Sequence, residues 1–504
     1  MQVSTRKTYR VRNPKRFMST VNEIYQQPEV YCGWSGCTLC QDTGISYLQI
    51  DANDELTNKV FIFDTSVLKD QLDLIQNCPL IRNAIIFQSS AEYLKQNNKK
   101  SFQKLKNLVD IQSDKNFYLF PNEFSQDCFL EKENTTSTQD HIDQLVLKAF
   151  NWYKVHWTSS GQDVDLIFIT NNFSQYNEAK QSNVSTFTIQ EFVKDFCADY
   201  PNMVDYLGIN FDYDSDFVEM KIENKEFLLD YKSHLGIEEL KQEINVGNLI
   251  KGKLRINRTN PQEAVISTQY GFDVKILGYE NLNRAVNGDV VGVELLKEDS
   301  WLQLKTLENE DVNPDDAEDS LVIEAARGRS TQLKEQEEKM KDLVKKIQEF
   351  NLTPTAVVRG VLQVNWRNLC GEIERYVDQK NGLVLVRPVD GRFPHAIIRL
   401  QNPESLFNKR IVFSLDTWNQ AYKFPFGHFV DVLGDSNDIV TESKVILFEH
   451  NVETRAFSQQ VLACLPAEGA MFKITPEELS KRTDYRHLDV CSVDPPGCKD
   501  IDDA

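Results

Sequence analysis

The chain has 504 residues, 41% hydrophobic and 26% charged, which is a globular composition with room for about three domains of roughly 150 residues. No apolar run reaches the ~18 residues of a membrane helix, the basic start MQVSTRKTYRVRNPKR has no apolar stretch behind it as a secretory signal would, and ten cysteines are too few for a disulfide scaffold. A net charge of -20 argues against general coating of nucleic acid, because phosphate contacts need cations, yet it leaves space for a local basic groove; a reducing interior and no membrane partner are expected.

In chain order, residues 1–54 form a basic segment: Arg6, Lys7, Arg10, Arg12, Lys15 and Arg16 precede any acid, and Cys32-x4-Cys37-x2-Cys40 follows. That thiol spacing suits Zn²⁺ with a fourth ligand from elsewhere, or else three reduced cysteines packing a small lobe. Residues 55–205 read as an α/β domain. KVFIFD at 59–64, AIIF at 84–87 and DLIFITNN at 165–172 are apolar strand runs, and between them Ile142, Leu145, Val146, Ala149 and Phe150 share one helical face. Strands alternating with helices imply a parallel sheet, with working residues at the carboxyl ends of its strands.

Residues 206–245 are a connector. From 246 to 304 short β segments separated by turn residues predict a small barrel. Residues 305–353 carry an acidic run, Glu308, Glu310, Asp311, Asp315, Asp316, Glu318 and Asp319, read as a solvated linker, and then a charged helix over 331–350 with Met340, Leu343, Val344, Ile347 and Phe350 on one side. A second β-rich block at 354–440 predicts a second barrel of OB or cold-shock type. The last segment, 441–504, holds a short helix at 475–482 and ends in DVCSVDPPGCKDIDDA.

That ending places Asp494, Asp500, Asp502 and Asp503 within ten residues around a Pro-Pro-Gly turn. Crowded carboxylates are costly unless a cation neutralises them, and their hard oxygens suit Mg²⁺ or Mn²⁺. A solvated acidic turn is the alternative from spacing alone. The stretch SVDPPGCKDIDDA, with the approaches PFGHFVDVLG and VLACLPAEG, resembles the signature of the RNase II-like (RNB) exoribonucleases, hydrolytic 3′→5′ enzymes. The three-cysteine spacing and the KVFIFDTSVL strand resemble the region before and within the PIN domain of the exosome-associated branch of that family. The resemblance implies a multidomain α/β plus β chain: a PIN-like domain, two OB/cold-shock barrels and the start of an RNB domain.

It further implies that Asp494, Asp500 and Asp503 ligate Mg²⁺, with Asp502 the acid tied to the chemical step, a metal-activated water the nucleophile and nucleoside 5′-monophosphates the product. Single-stranded RNA and the exosome core would be the partners, in the nucleus, the cytoplasm or both. In the PIN-like domain the first and third acids match at Asp64 and Asp143. The second position falls on Tyr93, with Glu92 one residue early, and the fourth on Asn172; a catalytically degenerate endonuclease site, lacking two of its four acids, is expected. NRAVNGDVVGVELL resembles the end of the first cold-shock barrel and NWRNLCGEI the opening of the second, where Trp366 and Arg367 could stack on a base or grip a phosphate, Trp366 alternatively being core. The family's catalytic domain continues well past this aspartate turn. The chain is therefore expected to be a fragment, inactive alone, with a non-enzymatic RNA-binding and exosome-docking role as the competing reading.

Overall fold

The computed structural model describes residues 2–13, 16–40, 46–110, 115–132, 136–161, 164–181, 185–210, 222, 224–268, 270–303, 343–347, 349–350 and 352–452, and scattered residues from 454 to 496; for 2–24 it gives the backbone alone. Two units are distinguished, Met1–Glu453 and Thr454–Ala504. Among the described residues no helix is long and apolar enough to cross a membrane.

The first unit opens with an antiparallel hairpin, β1 (Gln2–Asn13) and β2 (Arg16–Gln26), which the charge-rich sequence did not announce. The α/β domain follows: β3 (Lys59–Phe63), α1 (Thr65–Asp70), α2 (Leu72–Asn77), β4 (Asn83–Phe87), α3 (Gln88–Asn97), α4 (Lys99–Asp110), β5 (Asn116–Phe120), α5 (Thr138–Ser159), β6 (Asp165–Ile169), α6 (Phe173–Gln181), β7 (Ser185–Phe187) and α7 (Ile189–Asp195). Its sheet is parallel throughout, in the order β5-β4-β3-β6-β7. Alternate residues feed two cores. Phe61, Phe63, Ile86 and Ile169 face one, and Val60, Ile62, Ile85 and Phe168 the other. A sheet covered on both faces needs such unbroken apolar strands, and this is why they were readable. The strand order reverses between β3 and β6, so the residues just past these strands share one crevice.

Helix α8 (Ile237–Val246) leads into β8 (Ile250–Ile256), β9 (Glu263–Ser267), β10 (Asp273–Leu277), the single turn α9 (Tyr279–Leu282), β11 (Val290–Leu295), the short pair β12 (Leu302–Gln303) and β13 (Leu352–Thr353), and β14 (Ala356–Gln363). The sheet order is β10-β9-β8-β11-β14, and a Lys275–Thr355 bridge draws β10 towards the start of β14. A Cβ at Gly292 would stand 2.7 Å from a Leu240 methyl, so glycine there lets α8 lie directly on the sheet.

This corrects the expected partition. β14 was assigned to the second barrel, but it pairs with β11 and buries Ala356 and Val358 in the first core. The acidic stretch itself lies outside the described residues; in chain order it is an insertion between strands of the first barrel rather than between the two barrels. Ile347 does pack on that core, whereas Phe350 is 59% exposed and Met340 lies outside the described residues. The second barrel is closed, β15 (Leu369–Asp378), β16 (Leu383–Pro388), β17 (Ala396–Arg399), β19 (Phe426–Asp435) and β18 (Lys409–Thr417), and α10 (Ile439–Glu449) packs on it through Val445.

The α/β domain and second barrel meet around a buried charged network. His428 places Nδ1 2.8 Å from Asp416 and Nε2 3.0 Å from Asp73; Lys104 pairs with Asp73, and Lys100 donates to Ser414. Burial opposes the charge on His428, but the two carboxylates win and push its pKa up to about 9. The second unit contains α11 (Gln459–Leu462) and α12 (Pro476–Lys481), the latter capped by Thr475.

Candidate metal centre and acid pockets

The cysteine motif closes on a residue that its spacing did not reveal. Gly33, at φ +93°, turns the chain directly after Cys32, and a Cβ there would meet the Tyr118 ring at 2.5 Å. Tyr153 on α5 donates its hydroxyl to the Cys32 carbonyl at 3.0 Å, and Tyr118 donates to the Tyr31 carbonyl at 2.7 Å, pinning the loop against the domain. One turn beyond Trp152, His156 is stacked on that indole at 4.5 Å. Its Nε2 lies 3.2 Å from the Cys37 Sγ and 3.4 Å from the Cys40 Sγ.

The donor atoms of Cys32, Cys37, Cys40 and His156 all lie within 4.8 Å of one another. Bonds of 2.0–2.3 Å in a tetrahedron require ligand separations of roughly 3.5 Å, and three thiolates with one imidazole are a structural zinc set. The residues fit Zn²⁺. Cys40 is held low, at about 4, by its hydrogen bonds with Cys32 and His156, while Cys32 is driven up by that same bond and by burial. Among the described residues this is the only group of three or more such side chains close enough to hold an ion.

The PIN-type acids behave differently. Asp64 follows β3, is 1% exposed and caps α1 by accepting from Val67 N at 2.8 Å. Ser66 and Thr170 hydroxyls also donate to it, Thr170 at 2.6 Å; burial nevertheless raises its pKa. Asp143 on α5 receives an amide proton from Asn172 at 2.9 Å and another from Gln139 at 2.9 Å, and burial lifts it to about 6. The side chain standing where a fourth acid is expected thus donates to the third. Glu92 pairs with Lys95 at 3.2 Å, and Tyr93, which carries no carboxylate, packs against the cores.

The four aspartates Asp494, Asp500, Asp502 and Asp503 lie outside the described residues. Arg367 is committed within the fold: it pairs with Glu449 at 2.7 Å and lies over Phe393 at 4.9 Å from the ring centroid. Trp366 is half-buried against the second barrel core.

Comparison with known proteins adds the following. The chain matches the Rrp44-like cold shock domain over residues 231–338 and the Dis3-like cold-shock domain 2 over residues 383–451. It is 32% identical over 498 residues to the Mus musculus protein named exosome complex exonuclease RRP44, covering 96% of this chain and 49% of that one. The Arabidopsis thaliana RRP44 homolog A is 31% identical over 503 residues, 97% of this chain and 51% of the relative. Among solved structures, yeast Ssd1, described as a pseudonuclease, aligns with a TM-score of 0.33 at 22% identity over 50% of this chain and 31% of its own. The PIN domain of T. brucei RRP44 aligns at 0.29 and 17% identity over 35% of this chain and 97% of its own. The chain is similar to exosome exonucleases along almost its whole length and spans about half the length of these curated relatives.

Proposed function

We propose that this chain is the N-terminal part of a hydrolytic 3′→5′ exoribonuclease of the RNA exosome, acting in RNA processing and decay. The similarity to exosome exonucleases over 96% of the chain carries the reading; the DPPGCKDIDD turn supports it. Asp494, Asp500 and Asp503 would hold Mg²⁺ and Asp502 would serve the chemical step. Mg²⁺ bound there would supply charge neutralisation and an activated water. Zn²⁺ held by Cys32, Cys37, Cys40 and His156 would be structural, fixing the N-terminal lobe to α5 for docking on the exosome core. The α/β domain is non-catalytic in this reading, supported by the Asn172–Asp143 hydrogen bond.

The test extends the chain through the remainder of its relatives' length and supplies single-stranded RNA with Mg²⁺. Mononucleotide release is expected from the extended protein. It is expected to be lost in Asp502→Asn with RNA affinity retained, because a contact made mainly in the transition state lowers kcat and spares binding. The 504-residue chain alone should release none. Wild-type turnover in Asp502→Asn refutes the assignment.

A further inference from the structure

Two further thiols meet inside the α/β domain, apart from the zinc ligands. Cys78 caps the C-terminal end of α2, and Cys197 lies two residues past the end of α7. Positions 119 residues apart bring their sulfurs to 3.8 Å, within hydrogen-bond distance for thiols. Both are free cysteines, buried in the apolar core that holds Leu74, Ile81, Phe192 and Val193. Their cover is thin, because Asn77 and Ala198, their neighbours in sequence, are exposed. The surroundings favour a thiolate on Cys78. Cys197 donates to its sulfur, and the amides of Leu80 and Ile81 add to this. The Lys115 ammonium is held at this end of α2 by the carbonyls of Ile75 at 2.8 Å and Cys78 at 2.6 Å. Against burial, these groups lower the Cys78 thiol to about 7, while the same hydrogen bond drives Cys197 up. Cys128 and Cys370 are equally buried, and there burial lifts the thiols to about 11 and about 12.

Thiols that only fill space, like Cys128 and Cys370, need no donors gathered on one sulfur. A metal would need more ligands, and among the described residues no His, Asp, Glu or third Cys joins this pair. We propose that Cys78 and Cys197 form a reversible redox site, in which Cys78 attacks a hydroperoxide and Cys197 resolves the product as a disulfide. The Cys78 thiolate attacks a peroxide oxygen and the O–O bond breaks. Sulfur is oxidised to a sulfenic acid, peroxide is reduced, and the departing hydroxide takes up the proton that Cys78 gave away. The Cys197 sulfur then attacks that of Cys78; the S–O bond breaks, and the leaving hydroxide departs as water with the Cys197 proton. Two thiols and one peroxide thus become one disulfide and two waters. The sulfurs must close by about 1.8 Å to reach bonding distance. Local opening of a short helix end admits a small uncharged oxidant and excludes a bulky disulfide reagent. Transient, sensing disulfides are the kind a reducing interior allows. The bond would tie α2, whose Asp73 meets the second barrel, to the turn by which the chain leaves the α/β domain.

The test exposes the 504-residue chain, with Cys464→Ser, Cys491→Ser and Cys498→Ser removing the thiols of the second unit, to a small excess of hydrogen peroxide. Remaining thiols are blocked with N-ethylmaleimide, and peptides are mapped by mass spectrometry over time. A Cys78–Cys197 cross-linked peptide is expected, forming on the order of tenfold faster than Cys128 or Cys370 is oxidised, and lost on treatment with dithiothreitol. With Cys197→Ala added, Cys78 should accumulate as a sulfenic acid captured by dimedone. With Cys78→Ala added, Cys197 should stay reduced. Melting curves establish that these two variants fold; if either does not, the cross-link in the parent chain decides alone. Cys78 and Cys197 both recovered as maleimide adducts while other thiols are oxidised overturns the site. Cys78 carried on to sulfinic acid beside a reduced Cys197 removes the resolving role and with it the proposal. Oxidation of Cys128 and Cys370 at the same rate as the pair would report unfolding rather than a tuned thiol, and also overturns it.

Discussion

Two sites in the α/β domain draw on the same helix and resolve the same problem oppositely. α5 presents Asp143 near its start and His156 near its end. Around His156, three thiols and an imidazole converge, and the hydrogen bonds they make are chiefly with one another. Around Asp143, an amide and a hydroxyl network does that work: Asn172 donates to Asp143, and Thr170 to Asp64. Convergence alone does not make a metal centre. What matters is whether the converging atoms are left in need of a cation, and the proposed function assigns that need to the cysteine centre alone.

The largest expected effect breaks the first side of the comparison. Cys37→Ser/Cys40→Ser should reduce bound zinc from one per chain to none by elemental analysis, and destabilise the domain by at least ~3 kcal/mol, since structural zinc binding is folding free energy. That corresponds to a fall of roughly 6–12 °C in Tm for a domain of this size. Unchanged Tm together with absent zinc in the wild type would put the two sites on an equal footing.

A third buried set, Asp73–His428–Asp416, sharpens the contrast, because there a protein cation neutralises the carboxylates. His428→Ala takes the imidazolium from between Asp73 and Asp416, leaving Lys100 and Lys104 as the cations beside them among the described residues, and should cost about 3 kcal/mol. The pH dependence follows from the shifts. His428 is raised, so its contribution is complete below pH ~6.5 and lost as pH climbs through about 9. Asp73 is held well below its ordinary value by His428 and Lys104, despite burial, so its contribution is present above pH ~4 and lost on acidification. Urea titrations from pH 4 to 10 should show wild-type stability falling in the alkaline limb and His428→Ala flat there; parallel curves refute the role.

The smallest effect tests the second side. Asn172→Asp removes the amide donor and sets a new carboxylate against Asp143, which burial already lifts to about 6. The variant should lose about 1–2 kcal/mol at pH 7, and millimolar Mn²⁺ should restore it while leaving the wild type unmoved in thermal shift. Mn²⁺ stabilising both proteins equally would mean that the wild-type pocket binds metal as it stands.

The sequence made the α/β domain legible wherever strands are buried on both faces, as in KVFIF and AIIF. It showed Cys32, Cys37 and Cys40 because their ligand spacing is local. His156 was hidden because its role depends on α5 passing the cysteine loop, a contact between positions 119 residues apart. The available hint was an imidazole set among Trp152, Tyr153 and Trp157 on a helix otherwise packing rings. β14 was assigned to the wrong barrel because AVVRGVLQ is a short apolar run that either barrel could use. Nothing local records that its partner β11 lies on the far side of an acidic insertion. Arg367 looked free because its acids, Asp390 and Glu449, are remote in sequence.

The insertion bears on how the first barrel tolerates change. β12 and β13 pair across it, Leu302 with Thr353 and Gln303 with Leu352, so its two ends leave the sheet side by side. For ends already held together, added length costs only loop-closure entropy, about 0.6 kcal/mol for each doubling. Length added between these two paired ends is therefore expected to cost the five strands of the first sheet little. The same spot is the natural place to splice a fluorescent reporter into this chain without disturbing either barrel.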